Sequence, residues 1–167
     1  MELKKIYEYA LQREHEGRDF FAQHAARMGH AAAAAAFEAL AEEERKHIKF
    51  IQSLIDALDA GEGMPLAGGE SMEREGFFSA RAEAELLDQT IIEAMVPDLA
   101  VLRTAYLIER DFAEYYEMSA SRTKSVGNAD ASEALGMLAR WERQHEKLFK
   151  TLHDRAYEEY ASMPWGG

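Results

Sequence analysis

Cysteine is absent from this chain of 167 residues, which excludes disulfides, thiolate zinc sites, iron–sulfur clusters and a rubredoxin-type iron centre. Proline is scarce, and Pro65, Pro97 and Pro164 leave long stretches uninterrupted. No apolar run approaches the length that spans a bilayer, and the N-terminus lacks the apolar segment of a signal peptide. The formal charge of −12 argues against nucleic acid and membranes as partners. These absences favour a cytoplasmic protein.

Alanine, glutamate, leucine and arginine dominate the composition, which favours helices over strands. Apolar residues recur three and four positions apart over four segments, each of which is predicted to be a long helix with an apolar seam. The segments span about residues 3–28, 37–58, 97–119 and 135–156, and Pro97 is a suitable first residue for the third helix. The sequence therefore predicts an all-α fold, an antiparallel four-helix bundle, as a single domain over residues 1–167.

Each predicted seam is interrupted by one glutamate, and on the second and fourth helices a histidine follows three residues later. This Glu-x-x-His spacing places both side chains on one helix face, as two ligands of one metal ion require. One copy would be weak evidence, but there are two, and each follows another seam glutamate by about thirty residues. Exposed salt-bridging positions are the alternative, which is disfavoured because all six residues lie on apolar seams. The candidate metal ligands are Glu14, Glu44, His47, Glu109, Glu142 and His145.

Turn signals lie midway between the paired glutamates. The midpoint of Glu14 and Glu44 is Gly29, and the midpoint of Glu109 and Glu142 lies in a breaker run that starts at Ser125. Each helical hairpin would therefore bring its two glutamates to the same height. The hairpins also repeat in sequence, which implies a pseudo-twofold axis with a binuclear site on it. The repeated motifs are Ala10-x-x-x-Glu14 with Ala105-x-x-x-Glu109, and Leu40-Ala41-x-x-Glu44-Arg45-x-His47 with Leu138-Ala139-x-x-Glu142-Arg143-x-His145.

The segment from about residue 60 to 96 is too long for an ordinary connection within a compact domain. A long crossover between the second and third helices, spanning the bundle, explains it. The part from Gly61 to Gly69 is predicted to be a loop because of its glycine content, and Arg81 to Met95 is predicted to hold a short extra helix.

Four carboxylates facing one another in an apolar core repel each other and lack water. Two divalent cations would neutralise them, and a set of four carboxylates and two imidazoles suits iron or manganese better than structural zinc. With one histidine, one terminal glutamate and two bridging glutamates for each ion, coordination positions would remain open for an oxidant.

The chain resembles the rubrerythrin branch of the ferritin-like di-iron bundles, whose ligand pattern is one Glu from each of two helices and Glu-x-x-His from each of the other two. The resemblance covers roughly residues 3–158, and by it Glu44 and Glu142 would bridge the ions while Glu14 and Glu109 would be terminal. The motifs that carry it are Ala10-x-x-x-Glu14-x-Glu16-Gly17-x-x-Phe20-Phe21, Leu40-Ala41-Glu42-Glu43-Glu44-Arg45-Lys46-His47 and their counterparts in the second half.

The resemblance implies a non-haem di-iron oxidoreductase that reduces peroxide or dioxygen at two iron ions, for which manganese or zinc could substitute. Its partners would be the oxidant and a separate electron donor, and assembly as a homodimer is left open. Two alternatives remain: an iron-binding ferroxidase or iron-sequestering module, and a bundle in which the metal ions only stabilise the fold. Peroxide turnover separates the first function from the others.

Two departures from full rubrerythrins bear on the activity. The rubredoxin domain that would deliver electrons is missing, and Phe112 stands where a further glutamate is expected three residues after Glu109. Gly17, the counterpart on the first helix, would leave space beside Glu14 for a small oxidant.

The remaining polar residues near the seams receive simpler interpretations. His24 is predicted to be a hydrogen-bonded core histidine, His15 to face outward, His30 to be a turn residue and His153 to lie too far from His145 to join the site. Tyr116 is interpreted as a packed core tyrosine or, alternatively, as a hydrogen-bond donor or radical relay beside the metal ligands.

Overall fold

The structure is a computed structural model that describes residues 3–77 and 80–164, apart from the side chain of Ala80. Within these ranges every regular element is helical, which confirms the predicted all-α class. None of the described helices is both long and apolar enough to cross a membrane. The α-helices are α1 (Leu3–Ala25), α2 (Ala31–Ala60), α3 (Leu66–Glu75), α4 (Ala80–Leu86), α5 (Gln89–Met95), α6 (Leu99–Ser125) and α7 (Ala129–Ser162).

The four long helices pair into two hairpins, α1 with α2 and α6 with α7, and the hairpins form the ferritin-like bundle. Both turns lie where the sequence predicts them. Gly29 is in the first turn, where the His30 imidazole accepts a hydrogen bond from the backbone N–H of Ala32 and so caps α2. In the second turn Gly127 has φ of +82°, which glycine adopts readily, and Asn128 caps α7.

Two apolar clusters fill the bundle core on either side of its middle. One contains Phe21 and Phe149, the other contains Ile51 and Leu135, and all four side chains are fully buried. Along each long helix the predicted metal ligands lie between the residues of one cluster and those of the other. The ligand layer is therefore closed off from water at both ends by close-packed apolar side chains.

The crossover between α2 and α6 is helical over much of its length. The predicted loop over Gly61 to Gly69 is wrong beyond Pro65, because α3 begins at Leu66. The extra helix predicted over residues 81–95 is present as two short helices, α4 and α5. Pro97 lies in a one-turn 3₁₀ helix, Val96–Asp98, so α6 starts two residues later than predicted.

Gly69 allows α3 to lie closely against the bundle. A Cβ atom at this position would lie 2.5 Å from Sδ of Met137 and 2.9 Å from Cζ of Phe50, and both of these side chains are buried. A glycine pair that resembles a helix breaker in the sequence therefore serves close packing within a helix.

Replacing Gly69 by alanine is expected to lower the free energy of unfolding by about 1–3 kcal/mol through overpacking, partly offset by about 1 kcal/mol of helix propensity. Gly68→Ala is the matched control, because its Cβ would make an ordinary van der Waals contact, 3.9 Å from Cδ2 of Phe50. That variant should be as stable as the wild type or slightly more so. Urea unfolding of both variants checks this, and equal stability of the two would contradict the packing argument.

Candidate metal centre

The six predicted ligands meet in the middle of the bundle. Helix α1 contributes Glu14, α6 contributes Glu109, and the two Glu-x-x-His helices contribute the other four residues. The four glutamates are 0% exposed and the two histidines are 1% exposed. So complete a burial of carboxylates is unusual and calls for compensating charge.

The buried residues form two overlapping groups, each with three glutamates and one histidine. In each group the potential ligand atoms lie within 4.8 Å of one another, close enough to surround one metal ion after small side-chain movements. Glu44 and Glu142 belong to both groups, whereas the other four residues belong to one group each. The groups are Glu14, Glu44, His47 and Glu142, and Glu44, Glu109, Glu142 and His145.

The shared glutamates each direct one oxygen toward each histidine. Oε1 of Glu142 lies 2.8 Å from Nδ1 of His47, and its Oε2 lies 3.2 Å from Nδ1 of His145. For Glu44, Oε2 lies 3.3 Å from Nδ1 of His47 and Oε1 lies 3.8 Å from Nδ1 of His145. A carboxylate that spans two positions in this way has the geometry of a bridging ligand.

The unshared glutamates each approach one histidine. Oε2 of Glu14 lies 3.2 Å from Nδ1 of His47, and Oε2 of Glu109 lies 3.3 Å from Nδ1 of His145. The imidazole rings of the two histidines are nearly parallel, with centroids 5.4 Å apart and an interplanar angle of 11°. The arrangement is therefore nearly symmetric about an axis between the two groups, as the internal sequence repeat predicts.

Several buried oxygen atoms in this layer have no hydrogen-bond partner. Both carboxylate oxygens of Glu44 and Oε1 of Glu109 are unpartnered, although such groups are costly to bury. Cations would satisfy them, since two divalent ions balance four carboxylates. The oxygen-rich donor set with two imidazoles fits iron or manganese.

Without metal ions the site must hold protons. Burial, together with the charges of Glu142 and Glu14, raises the pKa of Glu44 well above its usual value, and burial with Glu142 and Glu44 does the same for the pKa of Glu109. Burial alone would lower the pKa of His47, but the surrounding carboxylates raise it well above the usual value. Burial opposes ionisation of Glu142, yet its histidine neighbours lower its pKa.

Tyr116 donates a hydrogen bond to Oε1 of Glu14. The hydroxyl is fully buried with the rest of the ring, and burial followed by the charge of Glu14 raises the pKa of Tyr116 well above 10. Both the core position and the hydrogen-bond donor offered by the sequence are present, because the ring packs in the apolar cluster while the hydroxyl donates to a candidate ligand. The bond fixes the orientation of the Glu14 carboxylate beside the proposed ion.

The expected opening beside Gly17 is filled. A Cβ atom at Gly17 would lie 3.1 Å from Cε2 of Phe112 and 3.9 Å from Cδ of Glu44. Glycine here lets the Phe112 ring pack closely beside the carboxylates, so the prediction of space for an oxidant at this point is wrong. Arg13 covers the outer face of the same ring, with its guanidinium carbon 4.9 Å from the ring centroid.

The other histidines lie outside the two groups. The prediction of a core position for His24 is wrong, because the residue is only half-buried and packs against the ring of Phe20. His153 lies beside Asp154 and Tyr106, as its distance from His145 along α7 predicts.

A residue that the sequence analysis missed is Glu43. It forms a third group of potential ligands with His47 and His145, and it is only partly buried. In the sequence Glu43, like Glu42 before it, looks like an exposed charged residue beside the seam, and no spacing rule distinguishes it.

A family model described as rubrerythrin matches residues 2–97 of the chain. The match covers the first hairpin and the crossover and ends before α6. No curated protein and no solved structure gave a match. The assignment of Glu109, Glu142 and His145 as candidate ligands therefore rests on the internal repeat and on their positions in the fold.

Proposed function

The chain belongs to the rubrerythrin family, and on this premise we propose that it is a non-haem di-iron oxidoreductase that reduces peroxide or dioxygen. The proposed ligands are Glu14, Glu44, His47, Glu109, Glu142 and His145. The observation that carries the proposal is the pair of shared glutamates, each of which directs one oxygen toward each histidine.

Two iron(II) ions would supply the two electrons that reduce one hydrogen peroxide, with two protons, to two water molecules. The protein residues hold and shield this pair. Glu44 and Glu142 would be the ligands that both ions share, Tyr116 orients Glu14 by its hydrogen bond, and the apolar clusters exclude bulk water. Each ligand group offers one nitrogen and three carboxylates, which leaves coordination positions for a small oxidant.

Electrons for repeated turnover would come from a separate donor protein or reductant. The chain contains no cysteine, so it has no thiolate-bound redox centre of its own. Repeated turnover would therefore depend on electrons that these residues do not themselves carry.

Anaerobically reconstituted iron(II) protein is expected to consume about one hydrogen peroxide per chain and then stop, because two iron(II) ions hold two electrons. Sustained turnover should require an added reductant. Stopped-flow oxidation by peroxide and, separately, by dioxygen tests this, and the reaction with peroxide should be the faster one. Protein treated with a chelator is the control and should consume none.

The alternative function is oxidation or sequestration of iron. Phe112 is the observation that favours it, because this position offers no fifth carboxylate beside the site. If peroxide reacts no faster than dioxygen, and iron accumulates beyond two ions per chain, the ferroxidase function replaces the peroxidase function. If neither oxidant reacts with the loaded protein, the ions only stabilise the fold.

A further inference from the structure

A small cavity lies on the outer side of the two histidines, between the crossover helix α3 and the bundle. Its volume of about 20 Å³ has room for one water molecule or one ion. Glu43, His47, Trp141 and His145 are among the residues that line it. Trp141 is 6% exposed, and its indole Nε1–H is buried without a hydrogen-bond partner. A cavity of this size, lined by one carboxylate and two imidazoles, has the donor set of a site for a single cation.

Glu43 is held in place beside the histidines. Its side chain is 15% exposed, and Nζ of Lys46 lies 2.6 Å from Oε1. A carboxylate oxygen of Glu43 and one nitrogen of each histidine lie within 4.8 Å of one another. Ligands of one ion with bonds of about 2.1 Å lie up to about 4.2 Å apart, so small side-chain movements would close the group around a cation.

The two nitrogens of each imidazole point in different directions, one of them toward the buried carboxylates. Nδ1 of His47 and of His145 faces the buried carboxylates at distances from 2.8 to 3.8 Å. The Nδ1 and Nε2 bonding directions of an imidazole diverge widely, so the Nε2 edges are turned away from the carboxylates. Both rings also line the outer cavity, and Nε2 is the nitrogen that remains for a ligand there.

We propose that Glu43, His47 and His145 form an entry site for a single divalent cation, from which the ion passes inward to the carboxylates. A neutral imidazole has one nitrogen lone pair, so a histidine can bind the outer ion or an inner ion, but not both. The outer site therefore binds an ion only transiently, and it loses its histidine ligands once the inner sites are filled. This proposal rests on the inner residues being a metal centre, as proposed above.

Glu43→Gln is expected to slow the loading of metal-free protein roughly tenfold or more, because the variant lacks the only charged ligand of the entry group. The final content should remain two ions per chain. The probe is cobalt(II), whose absorption reports binding, mixed with the full chain in a stopped-flow instrument. Glu42→Gln is the matched control, because Glu42 is exposed and pairs with Arg45. It should load at the wild-type rate.

Two results would overturn the entry site. One is loading of Glu43→Gln at the rate of Glu42→Gln. The other is slow loading that is fully explained by a proportional loss of equilibrium affinity, which would mean that Glu43 only orients the histidines by accepting their Nε2–H groups. In both cases the wild type would still bind two ions, so the proposed di-iron function would stand. Failure of the wild type to bind two ions would instead remove that function.

A second variant isolates the outer site at equilibrium. The four inner glutamates are replaced by glutamine, in the substitutions Glu14→Gln, Glu44→Gln, Glu109→Gln and Glu142→Gln. If helicity shows that this variant folds, it should bind one cobalt(II) per chain, and adding Glu43→Gln should abolish that binding. Binding of no cobalt by the folded fourfold variant would contradict the proposal. If the variant does not fold, the loading rates of Glu43→Gln and Glu42→Gln test the proposal by themselves.

Discussion

Replacing Glu44 or Glu142 by alanine is expected to abolish paired metal binding, so that the chain holds one ion or none. Each of these glutamates directs its two oxygens toward different histidines, so each removal takes a ligand from both ions. The affinity for any remaining ion should fall by more than the roughly 10- to 100-fold that is lost when a residue merely supporting a ligand is removed. Anaerobic titration with iron(II), followed by measurement of bound metal, gives the stoichiometry.

Glu14→Ala and Glu109→Ala are expected to weaken one ion preferentially, because each of these residues belongs to only one ligand group. Glu38→Ala is the control, since Glu38 is exposed on the same helix as Glu44. This variant should bind two ions with unchanged affinity. Equal and small losses at all four buried positions would show that the division into bridging and terminal glutamates is wrong.

The ligand positions could be predicted because helix periodicity converts sequence spacing directly into a shared face. Glu142 and His145 lie three residues apart on an apolar seam, and the structure places both at 1% exposure or less. The turn at Gly29 determines the level at which Glu14 meets Glu44. Both inferences depend only on local geometry, which is strongly constrained in a long helix.

The contacts made by single side chains across the fold could not be predicted. Gly69 in α3 and Gly17 in α1 look like a breaker and an opening in the sequence, but each accommodates a close-packed neighbour. Glu43 lies one position before Glu44 and is rotated by about 100° around α2, which a helical pattern assigns to the solvent. Only the position of the crossover helix α3 shows that this side chain borders a cavity beside the histidines.

Removing the metal ions is expected to make the fold less stable and to make its stability fall as pH rises from 5 to 8. In the metal-free fold the pKa values of Glu44 and Glu109 are raised above 4.5, and that of His47 is raised above 6.5. Above these ordinary values the folded chain therefore binds more protons than the unfolded chain. Stability is highest below the ordinary pKa values and is lost as pH rises through the raised ones, by about 1.4 kcal/mol per pH unit for each extra proton.

Bound metal should reverse this dependence, because the ions displace those protons and bind more tightly as pH rises. At 100 times its dissociation constant, one ion adds about 2.7 kcal/mol, which corresponds to a rise in melting temperature of roughly 5–10 °C for a chain of this size. Melting temperatures at pH 5, 6, 7 and 8, with and without a chelator, test both statements. Glu44→Gln is the control for the metal-free form, since it removes one of the titrating groups and should flatten the fall. Stability of the metal-free protein that stays constant from pH 5 to 8, with metal loss verified, would mean that the buried carboxylates are not held protonated and that the charge argument for two divalent ions is wrong.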